Sequence, residues 1–132
     1  MKKKIIVALF GALVFGIFAS AAFGQKPTRI KFKPGATTVI VKGSLSGYKS
    51  SRTYVLRVRA GQTLTTENAG DNNITIGVDA PPGSTYEQDM AADCHDRNEV
   101  NPTAAGDYKI TVVECRKADP FKGSFKFKLY VH

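Results

Sequence analysis

The chain has 132 residues, of which 42% are hydrophobic, and this length and apolar content suit one small domain. Its formal net charge is +8. It contains only two histidines, and it has no serine-nucleophile motif and no nucleic-acid motif. Hydrolytic catalysis and DNA binding are therefore disfavoured from the outset.

Residues 1–24 are predicted to be a secretory signal peptide. Three lysines precede an apolar run from Ile5 to Phe18, and small residues stand at positions 22 and 24. The run is shorter than the roughly 20 residues that a helix needs to span a bilayer, and no second such run follows. Cleavage after Gly24 would leave residues 25–132 as a single periplasmic or secreted domain without a membrane span.

Charge is unevenly distributed along this mature region. Residues 25–59 contain nine basic residues and no acidic one, and residues 60–100 contain eight acidic residues and one basic. Residues 101–132 return to six basic and three acidic residues. The pattern fits either an ordinary solvated surface or a basic face for an acidic partner or a cell-envelope polymer, and both interpretations stay open.

Apolar and polar residues alternate with period two through most of the mature region, which is typical of half-buried strands. Turn residues such as Pro34-Gly35 and Ala60-Gly61-Gln62 separate the runs. The pattern predicts an all-β fold, an antiparallel, jelly-roll-like β-sandwich of about seven to eight strands. In chain order, the predicted strands carry Ile30 and Phe32; Val39 to Leu45; Tyr54, Leu56, Val58 and Ala60; Ile74, Ile76 and Val78; Tyr108 to Cys115; and Phe125, Phe127, Leu129 and Val131.

Residues 84–105 lack this alternation and are predicted to be a long connection, with a short strand considered at Thr85-Tyr86. Five acidic residues lie between Ser84 and Thr103. Calcium binding by Asp89, Asp93 and Asp96 is an open alternative, although their spacing is not that of an EF-hand loop. No metal site or cofactor is predicted.

The two cysteines, Cys94 and Cys115, are predicted to form a disulfide, because an exported chain leaves the reducing cytosol. In the chain-entropy model, closing a loop of about 22 residues contributes about 3 kcal/mol. Two alternatives use the neighbouring His95, as the base of a catalytic thiol or as a metal ligand beside Cys94. Neither has a recognised spacing, and the chain is predicted not to be an enzyme.

Several short motifs follow one another in a distinctive order along the mature region. They are Phe32-x-x-Gly35, Gly43-x-x-x-Gly47-Tyr48, Ala60-Gly61-Gln62, Pro82-Gly83, Gly106-Asp107-Tyr108 and the alternating run Phe125 to Val131. The order resembles two families, the periplasmic inhibitors of g-type lysozyme and the pre-peptidase C-terminal domains. Most of these motifs are turn signatures, so the resemblance indicates architecture more strongly than activity.

The resemblance to the inhibitors also implies a binding site. In that family a tyrosine after the glycine of the first long hairpin and arginines in a later loop block the lysozyme cleft, and these positions correspond to Tyr48 and Arg116. The second arginine of the family's loop has no counterpart, because the stretch here reads Asp119-Pro120-Phe121. Lys117 and Lys122 are the candidates to supply its charge.

The resemblance therefore implies a non-catalytic protein that binds a lysozyme, with the g-type favoured, through Tyr48, Arg116, Lys117 and Lys122. The alternative is a pre-peptidase-like accessory module that binds carbohydrate or another envelope protein. The plainer interpretation of each residue also stays open: Tyr48 could simply cap the sandwich, and Arg116 could be a solvated loop charge. The binding hypothesis requires residues 48 and 116 to reach one edge of the sandwich.

Overall fold

The computed structural model describes residues 26–88 and 94–132, which form eight β-strands and no helix. The strands are β1 (Thr28–Arg29), β2 (Thr38–Ser46), β3 (Ser51–Val58), β4 (Leu64–Asn68), β5 (Ile74–Asp79), β6 (Arg97–Val100), β7 (Gly106–Glu114) and β8 (Lys122–Val131). The described segments accordingly hold no helical candidate for a membrane span. The predicted signal peptide lies outside the described residues.

The strands form two four-stranded sheets that bury a common core. One sheet has the order β1-β3-β7-β5, and the other has the order β2-β8-β4-β6. Every pairing is antiparallel except that of β1 with β3. The prediction of an antiparallel, all-β sandwich is therefore confirmed, with one short parallel pair added to it. The nine-residue strand β2 is an edge strand, with no neighbour on its outer side among the described strands.

The core lies between the sheets and consists of the inward residues that the alternation predicts. Strands β3, β5, β7 and β8 contribute three buried apolar side chains each, and β2 contributes Leu45. Complete burial of an aliphatic or aromatic side chain contributes roughly 1.5 to 3 kcal/mol. The fully buried core includes Leu56, Leu64, Ile74, Ile76, Val100, Tyr108, Ile110, Val112, Phe127 and Leu129.

Two details at strand ends differ from the sequence prediction. Ala60 was predicted to continue the buried face of β3, but the strand ends at Val58 and Ala60 is exposed, because the turn has already begun. The first predicted strand carries Ile30 and Phe32, but β1 comprises only Thr28–Arg29 and ends before both residues. Ile30 and Phe32 still pack against the core, as their spacing predicts, and Ile30 donates its N–H to the Val55 carbonyl at 2.9 Å.

The predicted long connection contains a strand that the sequence pattern concealed. There is no strand at Thr85-Tyr86, and β6 instead pairs with β4 at Arg97–Val100. Its inward residue Asn98 is 3% exposed, and its amide nitrogen donates to the Ile76 carbonyl at 2.7 Å. The Tyr86 hydroxyl donates to the Asn98 side-chain oxygen at 2.9 Å. The prediction was wrong here because a hydrogen-bonded polar residue occupies a position where the pattern requires an apolar one.

Gly43 allows the ring of Phe125 to pack closely against β2. A Cβ at this position would lie 2.5 Å from Phe125 Cζ and 2.6 Å from the Tyr54 hydroxyl oxygen. Both neighbours belong to the buried core, so neither can move without disturbing it. Gly43 is therefore required by packing.

Gly43→Ala is expected to lower the free energy of unfolding by about 2 kcal/mol, because the added methyl group overpacks the core. Urea denaturation of the mature chain measures the change. Gly77→Ala is the matched control, since its Cβ would meet only the Thr111 carbonyl oxygen, at 3.8 Å. Equal stability of the two variants would contradict this account of Gly43.

Arg29 fastens the N-terminal segment to β7. Its guanidinium donates two hydrogen bonds to the Asp107 carboxylate, at 3.2 and 3.3 Å. These hydrogen bonds hold the pKa of Asp107 below its ordinary value of 3.8. In the unfolded chain, Asp107 takes up a proton at a higher pH than it does in the folded protein. The stabilisation from the ion pair is therefore fully present above the ordinary pKa of Asp107, and it is lost as the pH falls through the folded-state pKa.

Asp107→Asn is therefore expected to be less stable than the wild type near neutral pH and equally stable in strong acid. Both groups are exposed, so the difference is small, and thermal midpoints across the acid range would measure it. Arg29→Gln should lose the same increment, and the double variant should lose no more than either single variant. A gap that stays constant down to about pH 2 would contradict the assignment.

Candidate binding site

The turn that carries Tyr48 and the loop that carries Arg116 lie at the same end of the sandwich. The turn, residues 47–50, joins β2 to β3, and the loop, residues 115–121, joins β7 to β8. Ser46 pairs with Lys122 at the end of one sheet, and Ser51 pairs with Val113 near the end of the other. We call residues 47–50 and 115–122 the rim.

Tyr48 is fixed by the rim itself and not by the core. Its side chain is exposed, with 39% of the residue's surface accessible, and its hydroxyl donates to the Ala118 carbonyl at 2.6 Å. Gly47 has φ +95°, which a glycine adopts readily, and its carbonyl accepts the Ser50 N–H at 3.0 Å. The tyrosine is therefore an exposed aromatic side chain in a defined turn, tied directly to the loop of Arg116.

The three predicted basic residues are all exposed on the rim. Arg116 and Lys117 follow the buried Cys115, and Lys122 begins β8. Lys49 adds a fourth exposed cation, while Asp119 is the one acidic residue of the rim sequence. The rim therefore presents net positive charge, which suits an acidic partner surface.

The predicted disulfide between Cys94 and Cys115 is confirmed. Both cysteines of the chain are thereby bonded, so the catalytic-thiol alternative and the metal site that includes Cys94 are ruled out. Cys115 also donates its N–H to the Asn73 carbonyl at 3.2 Å. Arg116 therefore follows a residue whose backbone and side chain are both held by the sandwich.

Glu114, the last residue of β7, supports the rim from below, and the sequence analysis missed it. It is 2% exposed, and its Oε1 accepts the Phe121 N–H at 2.8 Å, while Oε2 has no hydrogen-bond partner among the described residues. The carboxylate thus ties the far end of the loop back to β7, as the disulfide ties the near end. Its signal in the sequence is an acidic residue at an inward position of the run Tyr108, Ile110, Val112, since such a residue needs a partner.

The calcium alternative involves residues that cannot all be placed. Asp89 and Asp93 lie outside the described residues, and Asp96 is exposed. Within residues 26–88 and 94–132, no group of three or more His, Cys, Asp or Glu side chains could hold a metal ion. The described structure therefore provides no argument for a cation site.

The fold is similar to that of solved periplasmic inhibitors of g-type lysozyme. The inhibitor PliG from Aeromonas hydrophila matches with a TM-score of 0.62 and 23% identity over 80% of this chain and 96% of its own. PliG from Salmonella Typhimurium matches with a TM-score of 0.60 and 15% identity over 83% of this chain and all of its own. The pre-peptidase C-terminal domain of a Bacillus anthracis collagenase matches with a TM-score of 0.50 and 18% identity over 83% of this chain and 97% of its own.

The sequence resemblance to these two kinds of protein is thus confirmed at the level of the fold. No protein-family model matches the chain, and no curated protein matches it in sequence. At these identities the likeness defines a class of architecture, a small β-sandwich, and the binding residues have to be argued from the rim.

Proposed function

We propose that the mature chain is a periplasmic, non-catalytic inhibitor that binds a lysozyme, with the g-type favoured, through the rim. The observation that carries the proposal is the hydrogen bond from the Tyr48 hydroxyl to the Ala118 carbonyl at 2.6 Å. This bond joins the turn of Tyr48 to the loop of Arg116, although the bonded residues are 70 positions apart in the sequence. The resemblance to the inhibitors implicates the same turn and loop. The similarity of the fold to solved PliG inhibitors supports the same conclusion.

The chemistry of the rim suits the cleft of a muramidase. Glycosidases act through carboxyl groups in a cleft, and a guanidinium can donate paired, charge-assisted hydrogen bonds to a carboxylate. Arg116 would supply this group, and Lys117 and Lys122 would add positive charge that attracts an acidic cleft. Tyr48 would contribute an aromatic contact with few rotatable bonds, as residues that dominate binding energy often do.

The way the rim is held in place adds to its suitability for binding. The disulfide, the Glu114 carboxylate and the Tyr48 hydroxyl each attach the loop to a different part of the molecule. A loop that is already ordered loses less conformational freedom when it binds, and this preserves affinity. The exposed arginine can therefore enter a cleft without first ordering its own backbone.

A turbidity assay tests the proposal. Mature protein, residues 25–132, is added in molar excess to goose-type lysozyme and bacterial cells, and lysis is expected to slow in proportion to the complex formed. Chicken-type lysozyme under the same conditions tests class preference. If goose-type lysozyme clears the cells at its normal rate, the inhibitor proposal fails, and retention of the protein on purified envelope glycans would then favour the accessory-module alternative.

A further inference from the structure

The end of the sandwich opposite the rim carries a second basic surface. The eight-residue strand β3 runs away from the rim for roughly 26 Å, and Arg57 and Arg59 stand at its far end. Val58 between them is buried, whereas both arginines are exposed. They line an open cavity of about 350 Å³ together with Phe32, Thr37, Gln62 and Val131. We call this surface the arginine end.

The backbone beneath Arg59 is held firmly in place by a buried threonine. Thr103 is 4% exposed, and its hydroxyl donates to the Arg59 carbonyl at 2.6 Å and accepts the Gln62 N–H at 2.9 Å. Backbone hydrogen bonds of 2.8 and 2.9 Å join Thr103 to Gln62 and Gly61. Arg59 also donates its own N–H to the Gln62 side chain at 3.1 Å. The turn is therefore ordered before any ligand arrives.

The arginine end carries two positive charges, and the negative charge of Asp107, which interacts with Arg57 as well as with Arg29, lies beside them. Asp107 pairs with Arg57 in the strand register, but its carboxylate is engaged by two hydrogen bonds from Arg29. Among the described residues, the side chains of Arg57 and Arg59 take part in no hydrogen bond, and none forms an ion pair with them within 4.0 Å. Lys31 and Lys33, which flank Phe32 in the sequence, are exposed as well.

We propose that the arginine end binds a phosphate ester. Arg57 lies in β3 and Arg59 directly follows its end, so their Cα atoms are at most about 7 Å apart and both guanidinium groups can reach a single tetrahedral oxyanion. The planar guanidinium donates in pairs to phosphate oxygens, and a phosphate offers more oxygens to two such groups than a carboxylate does. Phe32 and Val131 form an apolar wall for the carbon chain beside the phosphate. The site lies apart from the rim and does not depend on the proposed inhibition.

Titration of the mature protein with inorganic phosphate tests this site. Amide shifts in a nitrogen-15 spectrum, with sodium chloride of equal ionic strength as the reference, should saturate and centre on residues 57–62 and 103. The double variant R57Q/R59Q should weaken phosphate binding at least about tenfold. Its thermal midpoint and its inhibition of lysozyme should match those of the wild type, which separates this test from that of the rim.

A matched control is available on the other sheet. Lys42 and Lys126 are exposed, stand opposite each other in the strand register and line a cavity of about 330 Å³. K42Q/K126Q removes the same charge and should leave phosphate binding unchanged. Equal weakening by the two double variants, or shifts spread evenly over all basic residues, would overturn the proposal in favour of general charge attraction.

Vesicles identify the source of the phosphate. Sedimentation with phosphatidylcholine vesicles containing phosphatidylglycerol, compared with phosphatidylcholine alone, detects binding to an anionic lipid headgroup. Retention that R57Q/R59Q abolishes and K42Q/K126Q preserves assigns the site to lipid. Saturable phosphate binding without retention on vesicles assigns it to a soluble or polymer-borne phosphate ester. Unaltered phosphate binding by R57Q/R59Q would show that the arginines do not form the site.

Discussion

Arg116→Ala is expected to raise the inhibition constant for goose-type lysozyme by about 30-fold or more. Under the proposed function, the variant removes a charge-assisted interaction with a carboxylate in the cleft, and losing one partner of such a pair in an interface costs roughly 2 to 5 kcal/mol. Every 1.4 kcal/mol corresponds to about a factor of ten in affinity. Arg116 is exposed in the free protein, so the thermal midpoint should hardly change.

Arg57→Ala is the control for Arg116→Ala. It removes one exposed arginine and the same charge, but from the opposite end of the molecule. Inhibition constants for both variants come from the rate of cell lysis as a function of inhibitor concentration. If the Arg116 variant inhibits as well as the wild type, the wrong loop has been assigned, and if both variants lose equally, long-range charge and not the rim governs binding.

Replacing both cysteines, in C94S/C115S, is expected to lower the free energy of unfolding by about 3 kcal/mol. The disulfide spans a sequence separation of 21 residues, and its loss releases the corresponding loop-closure entropy in the unfolded chain. Because Cys115 also anchors the start of the rim loop, amide exchange at residues 116–121 should accelerate. Urea denaturation measures the first effect, and hydrogen exchange measures the second.

Wild-type protein treated with a reducing agent is the control for C94S/C115S. It should unfold at the same urea concentration as the variant, since both lack the same bond. A variant as stable as the oxidised wild type would show that the bond contributes nothing. Slow exchange at residues 116–121 in a destabilised variant would show that Glu114 and Tyr48 hold the loop without help from the disulfide.

The fold could be predicted because most of its strands follow a single rule. Apart from Glu114, the buried residues of β3, β5, β7 and β8 are apolar, so alternation alone identifies both the strand and its buried face. Strand β6 was not predicted because Asn98 occupies an inward position, where its side-chain amide donates hydrogen bonds to the Ile76 carbonyl and the Thr66 hydroxyl. These partners lie 22 and 32 residues away, and a local pattern contains no information about them.

For the candidate site, the sequence indicated the residues but not the contacts that hold them. The sequence resemblance pointed to Tyr48 and Arg116, and the structure puts Tyr48 in contact with the loop of Arg116. The bond from Tyr48 to Ala118 could not be foreseen, because it depends on how far each sheet extends at that end. Glu114 was visible as an acidic residue in an apolar run, yet its partner, the backbone of Phe121, emerges only from the path of the loop.

The open edge of β2 bears on how two copies of this protein would meet. Lys42 is the middle residue of the nine in β2. If two molecules joined these edges in a symmetric antiparallel ladder, each Lys42 would face its own counterpart, and like charges directly opposite each other destabilise such a pairing. A lysine at the midpoint thus disfavours this symmetric pairing along the longest edge strand of the described structure.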